Sequence, residues 1–240
     1  MRLDIDRYSR IVVLTGAGIS VASGLRPYRG PNGVWEEHDV ERMGHVSALA
    51  DRPADTWRLF GALRQAVVAA RPNAAHLALA RMEQRLYSSQ ELLLITQNVD
   101  GLHQQAGSRN VCEIHGNVMY TKCTRPECTL PRFADQRTHA SAVPACEMCG
   151  SPLRPDVVLF GEELPALAAW NAKRALRDCD LFIAVGTSGT VSPASTYVRS
   201  AEYAGARTIY VNLEPMQPRN PAFKEEYLGP AEELLPQLIG

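Results

Sequence analysis

Four cysteines and one short polar run carry the chemistry that can be read directly from this chain. Four residues lie between Cys123 and Cys128, two between Cys146 and Cys149, and 17 between the pairs. Two close thiol pairs at this spacing suit a tetrahedral structural zinc site with no coordination position left open. Two disulfides or four idle thiols are the alternatives, and a reducing compartment favours the metal. The other cysteines, Cys112 and Cys179, lie in or beside apolar segments and read as core residues. The polar run is ITQNVDGLHQQAG, from Ile95 to Gly107, in which Gln97, Asn98 and Asp100 follow the end of an apolar strand. Amides and a carboxylate suit a ribose, whose hydroxyls both donate and accept. Helix capping by Asn98 or Asp100 would explain one of the three residues.

Two further signals stand beside these. Gly16-Ala17-Gly18-Ile19-Ser20 follows an apolar strand directly. Such glycines let a backbone approach a pyrophosphate at a helix start. Val21 stands where a dinucleotide fingerprint has its third glycine, and Asp39, the acidic residue at about the right distance, lies in irregular sequence. A nucleotide site is expected, with a plain tight turn as the alternative, and hydride transfer is not expected. His115, in EIHGN, ends another apolar stretch. It could take a proton near neutral pH, although a single histidine is more often structural.

These residues need strands to position them. Ile11–Leu14 (IVVL), Leu92–Ile95 (LLLI), Leu181–Val185 (LFIAV) and Thr208–Val211 (TIYV) are short apolar runs that each end in small or polar residues. With helical patterns between them, they predict an open α/β sheet of buried parallel strands, a Rossmann-like fold. Ligands collect at the carboxyl ends of such strands, so the polar groups should converge on one crevice. Helices are expected over Pro53–Arg71 and along HLALARMEQRL, and a long ordered loop over residues 25–45. Residues 120–152 look like a small insert stapled by its cysteines.

The bulk properties agree. The chain has 240 residues, 45% hydrophobic and 21% charged, with a net charge of −1. That is enough for a core without disulfides, and too little clustered positive charge for a dedicated nucleic-acid binder. No apolar stretch approaches the roughly 20 residues that span a bilayer, and MRLDIDRYSR lacks a signal-peptide core. A cytoplasmic monomer with no membrane or direct nucleic-acid partner is expected.

GAGIS, TQNVDGLH, EIHG, the two cysteine pairs, RPDVVLFGE, GTS and VNLEP occur here in the order found in sirtuins, the NAD-dependent protein lysine deacylases. The chain resembles that family from about Ile11 to Ala231, and most of all the CobB-type bacterial members, in PNAAHLALA and YLGPA. The resemblance implies a Rossmann-like domain (residues 1–25, 88–120 and 153–240) and a smaller domain. The smaller one comprises a cofactor loop and helices (26–87) and a zinc ribbon (121–152). NAD would lie between them as co-substrate, beside one structural zinc.

By the same resemblance Gly16, Ala17, Gly18, Ser20 and Arg29 would line the pyrophosphate and nicotinamide end, with Tyr28 and Trp35 of the loop beside it. Gln97, Asn98 and Asp100 would hold the nicotinamide and its ribose. Gly186, Thr187, Ser188, Asn212 and Glu214 would hold the adenosine half, with Ala231 near the adenine. His115 would be the general base, and the strand-like Val157, Val158, Phe160, Gly161 and Glu162 would pair with an extended acyl-lysine peptide. The implied reaction yields free lysine, nicotinamide and O-acyl-ADP-ribose, and the loop over residues 25–45 would keep water out. An ADP-ribosyltransferase or NAD hydrolase using the same ribose site is the alternative, and a non-catalytic binding module a third. One departure bears on specificity. Family members that remove succinyl groups carry a Tyr-x-x-Arg pair in the helix before PNAAH. Here the pair becomes Phe60 and Leu63, or Gly61 and Arg64, according to register. Neutral acyl groups, acetyl first, are therefore expected, with Arg64 the one residue able to retain some acidic acyl binding.

Overall fold

The computed structural model of the chain describes residues 2–27 and 40–240. In chain order its strands are β1 (Arg10–Thr15), β2 (Glu91–Thr96), β3 (Val111–Glu113), β4 (Gly116–Cys123), β5 (Phe133–Ala134), β6 (Leu153–Val157), β7 (Leu181–Val185), β8 (Arg207–Asn212) and β9 (Glu225–Leu228). The α-helices are α1 (Val40–Met43), α2 (Val46–Asp51), α3 (Pro53–Ala69), α4 (Ala74–Arg85), α5 (Leu102–Gln105), α6 (Ala166–Leu176), α7 (Tyr197–Tyr203) and α8 (Ala231–Ile239). No helix among the described residues is long and apolar enough to cross a membrane.

Six parallel strands form the large sheet in the order β3-β2-β1-β7-β8-β9. The apolar runs explain its centre. Successive side chains of a strand point to opposite faces, so a continuous run fits a strand covered on both sides. Ile11 and Val13 enter one core with Leu94, Ile183 and Ile209. Val12 and Leu14 enter the other with Ile95, Phe182 and Tyr210. β1 is the topological switch point, because the chain builds outward from it first through β2 and later through β7. A second sheet, β5-β4-β6, is antiparallel and carries the cysteine insert.

Two domain boundaries differ from the sequence reading. α4, expected in the smaller domain, buries Ala75, Ala78, Leu79 and Met82 in the core of the large sheet. That i, i+3, i+4, i+7 spacing makes one helical face. β6, expected in the Rossmann-like part, pairs with β4 in the small sheet. VVLFGE is also not a continuous strand: Val157 closes β6, and the residues after it turn.

α3 fastens the helical segment to the cysteine ribbon. Trp57, Phe60, Arg64 and Val67 lie on its buried stripe, so an arginine occupies a place where the pattern calls for an apolar residue. Arg64 is 0% exposed. Its Nε donates to Val118 O at 2.6 Å, Nη1 to Arg137 O at 2.7 Å, and Nη2 to Tyr120 O at 2.9 Å and Thr121 Oγ1 at 2.8 Å. Asp135, whose side chain is 2% exposed, sits 3.4 Å from Nη1, and the guanidinium lies over the Trp57 ring at 5.0 Å. With every donor engaged, Arg64 has nothing to offer an acyl chain, so the expectation that it serves an acidic substrate is corrected. Burial lowers its pKa, and Asp135 opposes the shift. Removing one partner of a buried pair leaves the other unpaired. Arg64→Met should therefore cost about 3–5 kcal/mol in urea unfolding, and a loss under about 1 kcal/mol, the size of an exposed pair, would contradict this account.

All four ribbon thiols are unbridged, and their sulfurs lie within 4.8 Å of one another. Cys123 Sγ and Cys149 Sγ are 3.5 Å apart, and Cys128 Sγ and Cys146 Sγ 3.6 Å. Sulfurs at about 2.3 Å from a tetrahedral zinc stand about 3.8 Å from each other, so the donor set fits the metal. Among the described residues, Trp57, Cys146 and Leu153 form a small buried apolar cluster beside it, with Leu130, Phe133 and Val143 partly buried against them, too little to fold the ribbon alone. The purified protein should hold about one zinc per chain. Cys149→Ser should abolish tight zinc binding and remove amide-exchange protection across residues 121–152. Undiminished protection in a zinc-free variant would contradict a structural role for the metal.

Candidate active site

The crevice is built by segments that leave the carboxyl ends of β1, β2 and β7. The turn after β1 runs as a 3-10 helix, Ala17–Ser23. Gly16 and Gly18 pack on the backbone that follows β7. A Cβ on Gly16 would stand 2.7 Å from Gly186 O, and one on Gly18 2.7 Å from Gly186 Cα. Gly16 N–H donates to Val185 O and Gly18 N–H to Gly186 O. These glycines are required by a backbone-to-backbone contact, and the same bareness leaves amide edges for a pyrophosphate.

A buried polar network lies beside this turn. Ser20 Oγ donates to Asp100 Oδ2 at 2.7 Å and accepts from Asn98 Nδ2 at 3.2 Å. Asn73 N–H donates to His76 Nδ1, so His76 carries its proton on Nε2 and donates it to Ser20 Oγ at 3.4 Å. Burial holds the His76 pKa down at about 4, which keeps the ring neutral. The second Asp100 oxygen accepts Leu102 N–H, so the capping alternative holds for one of its two oxygens. Burial raises the Asp100 pKa against both hydrogen bonds. Asn98 is held from beneath as well: its N–H donates to Thr96 Oγ1, which accepts from Thr15 Oγ1, and Thr15 meets His103 Nε2 at 2.9 Å. Among the described residues, three buried side-chain atoms have no partner, Asn98 Oδ1, His103 Nδ1 and Ser108 Oγ, and the first of these lies at the crevice. An orphaned buried acceptor costs about 1–3 kcal/mol, and a ribose or carboxamide donor would relieve it. The residues therefore fit a nicotinamide nucleotide.

His115 lies at the turn between β3 and β4. Its Nδ1 is 2.9 Å from Gln97 O. A carbonyl only accepts, so Nδ1 carries the proton and Nε2 is the free base. Burial lowers its pKa from 6.5, and the bond to Gln97 partly opposes this. Gln97 Nε2 donates to Thr187 Oγ1 at 2.9 Å, which ties the β2 and β7 loops together. Tyr210 O–H donates to Thr187 O, and Asn212 Nδ2 donates to that phenol oxygen and to Glu214 O.

The structure thus joins Gly16, Gly18, Ser20, Gln97, Asn98, Asp100, His115, Gly186, Thr187 and Asn212 in one connected network. The side chains of Ser188 and Glu214 are exposed beside it. Ala17 follows Gly16 at the surface of the turn, and Ala231 is buried with Ile19 at the start of α8. Tyr28, Arg29 and Trp35, with most of the expected lid, fall outside the described residues. Thr15, Thr96, His76 and His103 were not singled out from sequence. Part of the signal was present, since both strands end in threonine and His76 sits inside an apolar helical pattern, whereas His103 follows a single leucine among polar residues. Cys112 and Cys179 are buried, their thiols pushed up to about 11 by burial, as suits core residues.

Residues 158–162 flank His115. Val158 N–H donates to His115 O. Leu159 to Glu162 close a turn through Glu162 N–H to Leu159 O, with Gly161 at φ +86. Phe160 has no such positive φ, so this is the type II pattern, whose third position suits glycine. Phe160 N–H donates to Gly44 O, and Phe160 O accepts Val46 N–H. Most backbone groups of the expected peptide-pairing segment are therefore already used, and the exposed edge begins at Gly161.

Comparison with known proteins agrees with this geometry. Residues 16–193 match the Sir2 family. The chain is 41% identical to a NAD-dependent protein deacylase of Salmonella typhimurium, over 96% of this chain and 82% of that protein. It is 40% identical to one of Pasteurella multocida, over 96% of each. Among solved structures, a Sir2 homologue–NAD complex superposes with a TM-score of 0.88 at 36% identity, covering 98% of this chain and 90% of the other. A Sir2 variant with deacetylated p53 peptide and 3′-O-acetyl ADP-ribose superposes at 0.85 and 31%, covering 97% and 93%. The chain belongs to the Sir2 family.

Proposed function

We propose that this protein is an NAD-dependent protein lysine deacylase that acts first on acetyl-lysine. The observation that carries this reading is the pairing of a base of fixed tautomer, His115, with an unpartnered amide oxygen, Asn98 Oδ1, on segments tied to each other through Gln97. Bound NAD supplies an electrophilic ribose carbon and the leaving nicotinamide. The chain's residues hold and orient what surrounds that carbon. Asn98 Oδ1 accepts a donor from the nicotinamide ribose or carboxamide. Asp100, fixed by Ser20 and Leu102, places negative charge beside the site. His115 Nε2, the free base, would accept the proton of a ribose hydroxyl held beside it. Backbone edges of Gly16, Gly18 and Gly186 receive the phosphates. The Sir2 peptide complex supports an acylated protein as the second substrate, laid along the edge that begins at Gly161.

Acyl preference follows from α3. Phe60 belongs to an apolar cluster with Leu25, Val99 and Leu159, and Leu63 packs against it. Arg64 is spent on the ribbon. An acyl carboxylate thus finds no arginine on this face of α3. A charge-assisted hydrogen bond is worth about 1.5–3 kcal/mol.

Mass spectrometry of protein, NAD and one peptide in acetyl- and succinyl-lysine forms tests both points. Nicotinamide, free lysine and O-acyl-ADP-ribose should appear together, and His115→Ala should lose at least about 100-fold in kcat. NAD consumed without acyl loss would instead point to hydrolysis or ADP-ribosyl transfer. The acetyl peptide should lead by about tenfold or more in kcat/KM, and a succinyl preference would overturn the specificity argument. A pH profile tests the base. His115 must be neutral, and its pKa is lowered from 6.5. The rate should therefore persist through pH 6.5 and fall only below it, whereas a limb above 6.5 would rule out this half-buried imidazole as the group observed.

A further inference from the structure

Arg154 and Glu162 meet beneath the turn next to His115, although sequence reasoning placed Glu162 among the substrate contacts and passed over Arg154. Arg154 is buried on β6. Its Nη1 donates to Glu162 Oε1 at 2.5 Å and its Nη2 to Glu162 Oε2 at 2.9 Å, a bidentate pair. Nη2 also donates to Val157 O at 2.8 Å. Glu162 Oε2 further accepts Leu159 N–H at 2.8 Å. Both carboxylate oxygens thus face into the protein, and the side chain is not free for a peptide.

The pair controls one side of the turn. It links the last carbonyl of β6 to the first amide of the turn, while Gly44 and Val46 hold Phe160 from the other side. A Cβ on Gly161 would stand 3.0 Å from His45 Nε2 and from Val46 Cγ1, so the turn packs against His45 and the start of α2 with no room for a side chain at its third position. Val158 N–H binds the carbonyl of His115 itself. The position of Gly161 relative to His115 is therefore set by bonds that converge on five consecutive residues, 158–162.

We propose that Arg154 and Glu162 are positioning residues for the acyl-peptide substrate, whose ion pair fixes the Leu159–Glu162 turn so that its exposed edge meets an extended peptide in register with His115. The proposal rests on the deacylase reading. An edge held in its binding geometry spares the ordering that a loose loop would undergo on binding. Opening the pair should weaken the peptide and leave the nucleotide pocket, built from other strand ends, as it was.

The test uses the full chain, an acetyl-lysine peptide with NAD, and ADP-ribose as a separate binding probe. Glu162→Ala should raise the peptide KM by about tenfold or more while the ADP-ribose Kd stays within about twofold. Glu162→Gln keeps a single oxygen that can accept from both Leu159 N–H and Arg154 Nη2 but loses the second arm of the pair, so it should fall between the unmutated protein and the alanine variant, and it serves alone if the alanine variant does not fold. A peptide KM unchanged in both variants, or an ADP-ribose Kd weakened by the same factor, overturns the proposal. If the unmutated protein removes no acetyl group, the deacylase reading fails as well. If it does so and the variants keep their peptide KM, only the positioning role fails.

Discussion

The contact between bare backbone after β1 and bare backbone after β7 governs this structure. Gly16 and Gly18 on one side and Gly186 on the other approach closer than any Cβ allows. Neighbouring parallel strands stand about 4.8 Å apart, and only at a switch point do their loops part to opposite sides and leave a crevice. Closing the bottom of that crevice with main chain alone makes it deep enough for a nucleotide and rich in unshielded amides. Gln97 and Thr187 then bridge the loops above the glycines, and His115 hangs from the carbonyl of Gln97. The base is thus placed by the same contact that shapes the phosphate end.

The polar residues around that floor are costly in isolation. Thr15, Ser20, His76, Asn98, Asp100 and His103 are all buried. A partly satisfied buried network is less stable than apolar packing. This one is directional: His76 and Asn98 both donate to Ser20, and Ser20 donates onward to Asp100. Both histidines are kept neutral by burial, and His76, 4.8 Å away between ring centres, further disfavours charge on His103. Local strain and missing partners of this kind gather where a ligand completes the arrangement.

The large sheet was legible because its four central runs are continuous and apolar, a pattern that fits strands buried on both faces. The cysteine spacing located the ribbon for an equally local reason. What could not be read depends on partners distant in sequence. The stripe of α4 announces a buried face but not which sheet it meets. β9 alternates half-buried and exposed residues at the sheet edge, and its Glu225 and Glu226 disguise it. Arg64 sits at a helical core position, and its need for carbonyls from residues 118, 120 and 137 is invisible until those residues fold around it. The family resemblance supplied residue roles that spacing alone left open, while the hydrogen bonds of Phe160 to Gly44 and Val46, which occupy backbone groups of the segment it implied for a peptide, are tertiary and could not be read.

The order of the strands has a consequence for how the site comes into existence. Thr15 and Thr96 meet across 81 positions, and Arg10 and Asp180 across 170. Contacts of such sequence separation form late, after long loops have been closed. Neither half of the chain holds the whole site, since its floor needs residues that follow the first strand and the seventh at once. The crevice is therefore a property of the finished fold, and a growing or truncated chain that stops short of β7 has a ribbon and helices but no place for a nucleotide.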